Sequence, residues 1–201
     1  METHHVVVLG FIINLLGTYA YARDTLIGKT KPNRVTYLMW TLAPFVAVFA
    51  ALADGVTWAV IPVVSTGLCP FIVLLASFKN KKAEWKLNAF DWLCGALSVL
   101  GIVLWQISNE PDIAIAFSIF ADGAAAFPTI IKTWKHPETE TPIGYVGSAL
   151  GGATSFFALK AYSFAELAFP IYVVFVCSLI ALLAYSGQRA QRKKARLAGR
   201  A

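Results

Sequence analysis

Between Phe127 and Thr141 the chain reads FPTIIKTWKHPETET: an apolar run closes on Phe-Pro, then Lys132, Trp134 and Lys135 lead into His136-Pro137. The same order of features stands earlier in the chain. Lys31-Pro32, followed four residues on by Thr36, aligns with His136-Pro137 and Thr141 at an offset of 105. Further along, at an offset of 108, Phe49-Ala50 matches Phe157-Ala158, Pro62 matches Pro170 and Cys69 matches Cys177. Agreement of prolines, charged turns and apolar register points to an internal repeat.

Outward from this stretch, seven apolar runs are each long enough to cross roughly 30 Å of hydrocarbon. They are His5–Ala22, Val35–Ala53, Trp58–Phe78, Phe90–Ile107, Ile113–Lys132, Ile143–Ala161 and Leu167–Tyr185. Hydrophobic residues make up 58% of the 201-residue chain, charged ones only 14%, and mean hydropathy is +0.64. A water-soluble domain carries about a quarter charged residues. The sequence therefore predicts an all-α polytopic membrane protein with seven transmembrane helices and a lipid bilayer as its main partner.

The formal charge of +6 does not imply nucleic acid, because the cations are dispersed and no folded basic face tracks a phosphate backbone. Arg23, Lys29, Lys31 and Arg34 lie in the first connector, and Lys79, Lys81, Lys82 and Lys86 in the third. Lys132 and Lys135 lie in the fifth, and Arg189, Arg192, Lys193, Lys194, Arg196 and Arg200 in the tail. The alternate connectors hold one cation, Lys160, among Glu2, Asp54, Glu110, Asp112 and Glu166. By the positive-inside rule the N-terminus is outside and the C-terminus inside. METHH lacks the basic residues of a signal-peptide start. Trp40, Trp85, Trp92 and Trp134 fall near the inner interface, and Trp58 and Trp105 near the outer one, so all six are expected as interfacial anchors.

The repeat divides the chain into a first three-helix unit (1–87), a linker helix (88–110), a second unit (111–187) and a basic cytoplasmic tail (188–201). An odd number of spans per unit plus one linker helix keeps both units in the same orientation. This is a 3+1+3 parallel repeat about an axis along the membrane normal. In that plan, and in the stretch Phe127–Thr141, the chain resembles the SWEET and PQ-loop transporter superfamily. The resemblance implies a carrier built from two three-helix units. The superfamily's Pro-Gln is Pro128-Thr129 in the second unit and Arg23-Asp24 in the first. Where sugar-transporting members have a tryptophan late in the second helix, this chain has Phe49 and Phe157. Where they place an asparagine in the third helix, it has Val64 to Thr66 and Tyr172. Sugar specificity is accordingly open.

Asp122, midway along the fifth run in SIFADGAAAFP, is the residue most indicative of function. A carboxylate at the bilayer centre costs ~2.5–3.5 kcal/mol even on the insertion scale, so it should face the bundle interior as a substrate or proton site. Asn14, at similar depth in the first helix, is its expected counterpart in the other unit. Ser65, Thr66 and Tyr172 are the midplane polar groups of the third and seventh helices, and Phe49 and Phe157 are candidates for stacking on a ligand. Pro44, Pro62, Pro128 and Pro170 are candidate hinges. The pair Gly147 and Gly151 predicts close helix approach inside the bundle. Cys69, Cys94 and Cys177 lie in apolar runs as packing residues, with no metal-ligand spacing.

These features predict a transporter of a small polar solute, sugar-like or another metabolite, working by alternating access as a uniporter or coupled to protons. The alternative is a receptor, sorting or scaffold protein that uses the basic tail and connectors. No enzyme motif, nucleotide-binding loop or metal cluster is present, so no catalytic role or cofactor is expected. A bacterial inner membrane is the expected location, and a homo-oligomer is compatible with the sequence.

Overall fold

The computed structural model describes residues 3–53, 61–108, 110–157, 159 and 162–198. Glu2, Asp54, Trp58, Ala158, Lys160 and Arg200 lie outside the described residues, as do the side chains of Ala50, Pro62 and Ser65. Among the described residues the chain is all-α, with seven helices and no strand. They are α1 (Thr3–Leu26), α2 (Arg34–Ala53), α3 (Ile61–Lys79), α4 (Ala89–Ile107), α5 (Pro111–Lys135), α6 (Pro142–Ala153) and α7 (Phe164–Ala198). Three stretches are long and apolar enough to cross a membrane: Ala89–Ile107, Asp112–Lys135 and Glu166–Ala198. Arg34–Phe49 and Thr66–Lys79 are shorter apolar helices.

Helix starts follow local chemistry. Asn88 accepts from the amides of Phe90 at 2.8 Å and Asp91 at 3.2 Å, while Asp91 accepts from the Asn88 amide at 2.7 Å, closing a capping box on α4. Asn33 caps α2 by accepting from Val35 and Thr36, and its side-chain amide donates to Asp91 at 2.7 Å. One buried carboxylate thus ties the start of α4 to the start of α2. Pro111 and Pro142 occupy the first turns of α5 and α6, where a missing N–H costs nothing. Gly28, at φ 79°, turns the chain out of α1, a left-handed conformation that a side chain would strain.

Two helices differ from their predicted extents. The sixth run was expected to span Ile143–Ala161, yet α6 ends at Ala153 and tightens into a 3-10 turn at Thr154–Phe157. Three glycines in its last eight residues lower its helix propensity there. The seventh continues past Tyr185 into the basic tail as one helix of 35 residues. Gln188 donates to the carbonyls of Pro137 and Glu140 at 2.8 Å, and Gln191 to Glu138 at 2.8 Å. The tail is thereby docked on the α5–α6 connector.

Two sets of three helices, α1–α3 and α5–α7 (the trios below), share one pattern of contacts. In the first, α3 touches both α1 and α2; in the second, α7 touches both α5 and α6. Across the trios α1 packs on α6 and α2 on α5, and α4 lies against α5 and α2. Leaving α4 aside, exchanging α1, α2 and α3 for α5, α6 and α7 leaves this pattern unchanged. The connectors α1–α2, α3–α4 and α5–α6 meet at one end of the bundle. There Asn80 bonds the Leu26 carbonyl, Arg34 the Ser77 carbonyl and the Lys31 amide the Thr139 carbonyl.

Pro44, Pro128 and Pro170 lie inside α2, α5 and α7, and Pro70 lies inside α3. Each removes a ladder hydrogen bond and so permits a bend. Pro62 is the second residue of α3, in its first turn, where a missing N–H breaks no ladder bond. Cys69 and Cys94 are buried, Cys177 is half-buried, and all three are free thiols.

Candidate functional site: a cavity between the two trios

A cavity of about 840 Å³ opens between the trios, walled by α1, α2, α3, α5, α6 and α7. Its size lies within the range of small-molecule sites, roughly 300–1,000 Å³. Asp122 projects into it from α5, and its carboxylate accepts from the Tyr172 hydroxyl of α7 at 2.7 Å. Tyr172 therefore positions the acid from within the same trio. From the other trio, the Trp40 indole N–H points at the Asp122 backbone carbonyl at 3.4 Å.

Asn14 lines the cavity from α1 and accepts from Ser148 of α6 at 3.0 Å. Asn14 and Asp122 stand 108 positions apart, as do Trp40 and Ser148. The contact Asn14–Ser148 is thus the repeat image of Asp122–Trp40. Thr66 also lines the cavity. Phe49 and Phe157 do not: they are 68% and 66% exposed and absent from the wall. The expected stacking role is corrected, because both side chains turn outward, where apolar rings suit lipid.

The end of the cavity nearest the connectors is closed by three phenols. Tyr21, Tyr37 and Tyr145 are 2%, 5% and 3% exposed. Their rings pack with centroids 5.5 Å apart for Tyr21–Tyr37 and 5.7 Å for Tyr21–Tyr145. Tyr37 and Tyr145, again 108 positions apart, meet hydroxyl to hydroxyl at 3.3 Å. Tyr21 donates to Glu140 at 2.6 Å and Tyr145 donates to the same oxygen at 3.0 Å. The other Glu140 oxygen is ion-paired with Lys132, which also donates to the Lys31 carbonyl. Both partners are fully buried.

Beside this pair, buried Asp24 accepts from Lys29, from Thr141 at 2.9 Å and from Arg23 at 3.1 Å. Thr141 and Thr30 share a 2.5 Å hydrogen bond. Outside the helical spans, partial burial pushes the Glu138 carboxyl up. The Gln191 hydrogen bond, with smaller help from a backbone amide and His136, outweighs this and holds it below its ordinary value.

Several of these residues escaped sequence reading. Lys132 was expected as a connector cation in water, and Glu140 drew no attention. Trp40, expected as an interfacial anchor, instead lines the cavity. Trp85 carries the Lys132 ammonium 5.2 Å from its ring centre and stacks at 5.5 Å on His136. Trp92 and Trp134 are 62% and 73% exposed, as anchors would be. One available signal was the offset itself: Tyr37 and Tyr145 are identical residues 108 apart, hence candidates to meet on the pseudo-axis.

A cavity closed at one end by paired and hydrogen-bonded groups, with a carboxylate on its wall, can hold a small solute away from one side of the bundle. No family model matches the chain, and neither does any curated protein or solved structure.

Proposed function

We propose that the protein is a membrane transporter that carries a small polar solute by alternating access, in the manner of the SWEET and PQ-loop superfamily it resembles. Seven transmembrane helices in a 3+1+3 parallel repeat form two rocking units, with the N-terminus outside, the C-terminus inside and a bacterial inner membrane as location. The observation that carries this reading is the cavity of about 840 Å³ at the interface of two trios packed alike, closed at the connector end and bearing Asp122. Pro44, Pro128 and Pro170, inside helices that wall it, are where bending is cheapest. Transport is either uniport or proton-coupled, with Asp122 as the group that decides.

The test is solute uptake and proton flux in proteoliposomes, wild type beside Asp122→Asn, over a panel of sugars, nucleosides, amino acids and amines. Uptake of one class, reduced about tenfold or more in the variant, is expected if a midplane charge worth a few kcal/mol is lost from the solute path. If no panel member moves while the protein is folded and inserted, the receptor or scaffold reading replaces the carrier.

A further inference from the structure

Asp122 is the charged residue of the cavity wall, and no Lys, Arg or His lines that wall among the described residues. The ion pairs among the described residues use Asp24, Glu84, Glu138 and Glu140, all at the connector end and none on the cavity wall. Aromatic residues from both trios meet at Asp122. From α2 the Trp40 indole N–H reaches its backbone carbonyl, from α7 the Tyr172 hydroxyl donates to its carboxylate, and Phe169 packs on Tyr172 at 6.0 Å. Phe11, Tyr37 and Phe169 extend the aromatic wall.

Two of the wall hydroxyls are turned toward their own helix or a neighbouring one. Ser148 bonds Asn14 and the Gly144 carbonyl, and Thr154 bonds the Gly151 carbonyl at 2.6 Å. An anion would meet a carboxylate with no cation to offset it. A cation meets a charge partner and the negative faces of aromatic rings together.

We propose that this cavity binds an organic monocation, an amine or quaternary ammonium compound, with Asp122 as its counter-ion and Trp40 as its principal cation–π surface. This deepens the transporter reading and rests on it for the movement of the solute, but not for binding. Net charge in the occupied site is then zero, which removes the cost of an uncompensated charge in low dielectric.

The experiment is titration calorimetry on the purified full chain in lipid nanodiscs. Choline and benzyltrimethylammonium serve as probes, and 3,3-dimethylbutan-1-ol as the uncharged isostere of choline. At least one cation is expected to bind saturably, with choline or its larger analogue about tenfold or more tighter than the alcohol, since desolvated cation–π contact and charge pairing each exceed 1.4 kcal/mol. Asp122→Asn should bring cation and alcohol to within about twofold, while Asp122→Glu keeps the preference and Trp40→Leu weakens the cations alone.

Failure of both cations to bind, equal affinity for the alcohol, or a preference that survives Asp122→Asn overturns the cation site. It would leave Asp122 as a proton or packing group. Cation binding without uptake in proteoliposomes removes the carrier reading and keeps the site; uptake of neutral solutes uncompeted by choline does the reverse.

Discussion

The two seams that join the trios, α1 against α6 and α2 against α5, are images of one another in the repeat but are held by different forces. At α1–α6 the backbones touch. A methyl placed on Gly17 would stand 3.0 Å from the Gly147 Cα, and one on Gly151 would stand 2.9 Å from the Gly10 carbonyl. At α2–α5 side chains make the join. Thr36 donates to the Ala125 carbonyl at 2.7 Å, Thr129 donates to Thr36 at 2.9 Å, and Trp40 reaches the Asp122 carbonyl. A glycine seam relies on dispersion between close backbones and admits no extra atom. A seam of hydroxyls and an indole tolerates rearrangement, because each bond can be exchanged for another or for water. The more mobile chemistry thus lies beside Asp122, and the rigid contact lies beside its neutral counterpart Asn14.

The largest expected effect comes from the residues that couple the seams. Lys132 lies in the last turn of α5, Glu140 precedes α6, and their pair is buried. Lys132→Met should destabilise the folded protein by about 3–5 kcal/mol, because Glu140 is left buried without a cation. Thermal unfolding in detergent followed by tryptophan fluorescence would read this as a large drop in Tm. A change under about 1 kcal/mol would mean water or another cation reaches Glu140.

Gly147→Val attacks the rigid seam alone. Overpacking against Gly17 predicts a loss of about 1–3 kcal/mol, visible in the same assay, while ligand binding by the surviving fold changes little. A neutral outcome would show that α1 and α6 can part without penalty and would dissolve the contrast between the seams. The smallest effect is predicted for Thr36→Val, which deletes two buried hydrogen bonds worth about 0.5–1.5 kcal/mol each. If this variant proves as damaging as Gly147→Val, the α2–α5 seam is no softer than its partner.

Legibility in the sequence followed the range of the forces involved. Helices were readable because hydrophobic run length and polar connectors act locally. Asp122 stood out because a carboxylate is rare in an apolar run, and the structure places it on a cavity wall that Asn14 and Thr66 also line, with the Tyr172 hydroxyl donating to it. The glycines of α6 were readable as a close-contact face, and Gly147 does meet Gly17. Phe49 and Phe157 were misjudged because a phenylalanine in an apolar helix carries no mark of which face it occupies. Lys132 and Glu140 were missed for the opposite reason: in a polar connector a charge looks solvated, and only packing of α1, α5 and α6 around it removes the water.

Composition and run length determine on their own that this chain is helical and apolar, since those properties are written in consecutive residues. Which residues face one another is set by non-local packing. The meeting of Tyr37 with Tyr145 and the turning of Trp40 toward Asp122 join positions 108 and 82 residues apart, and the pair of Lys132 with Glu140, close in the chain, is enclosed by Tyr21 and the Lys31 carbonyl from far along it. Tertiary structure alone decided these, because burial and hydrogen-bond geometry depend on atoms that the local sequence does not contain.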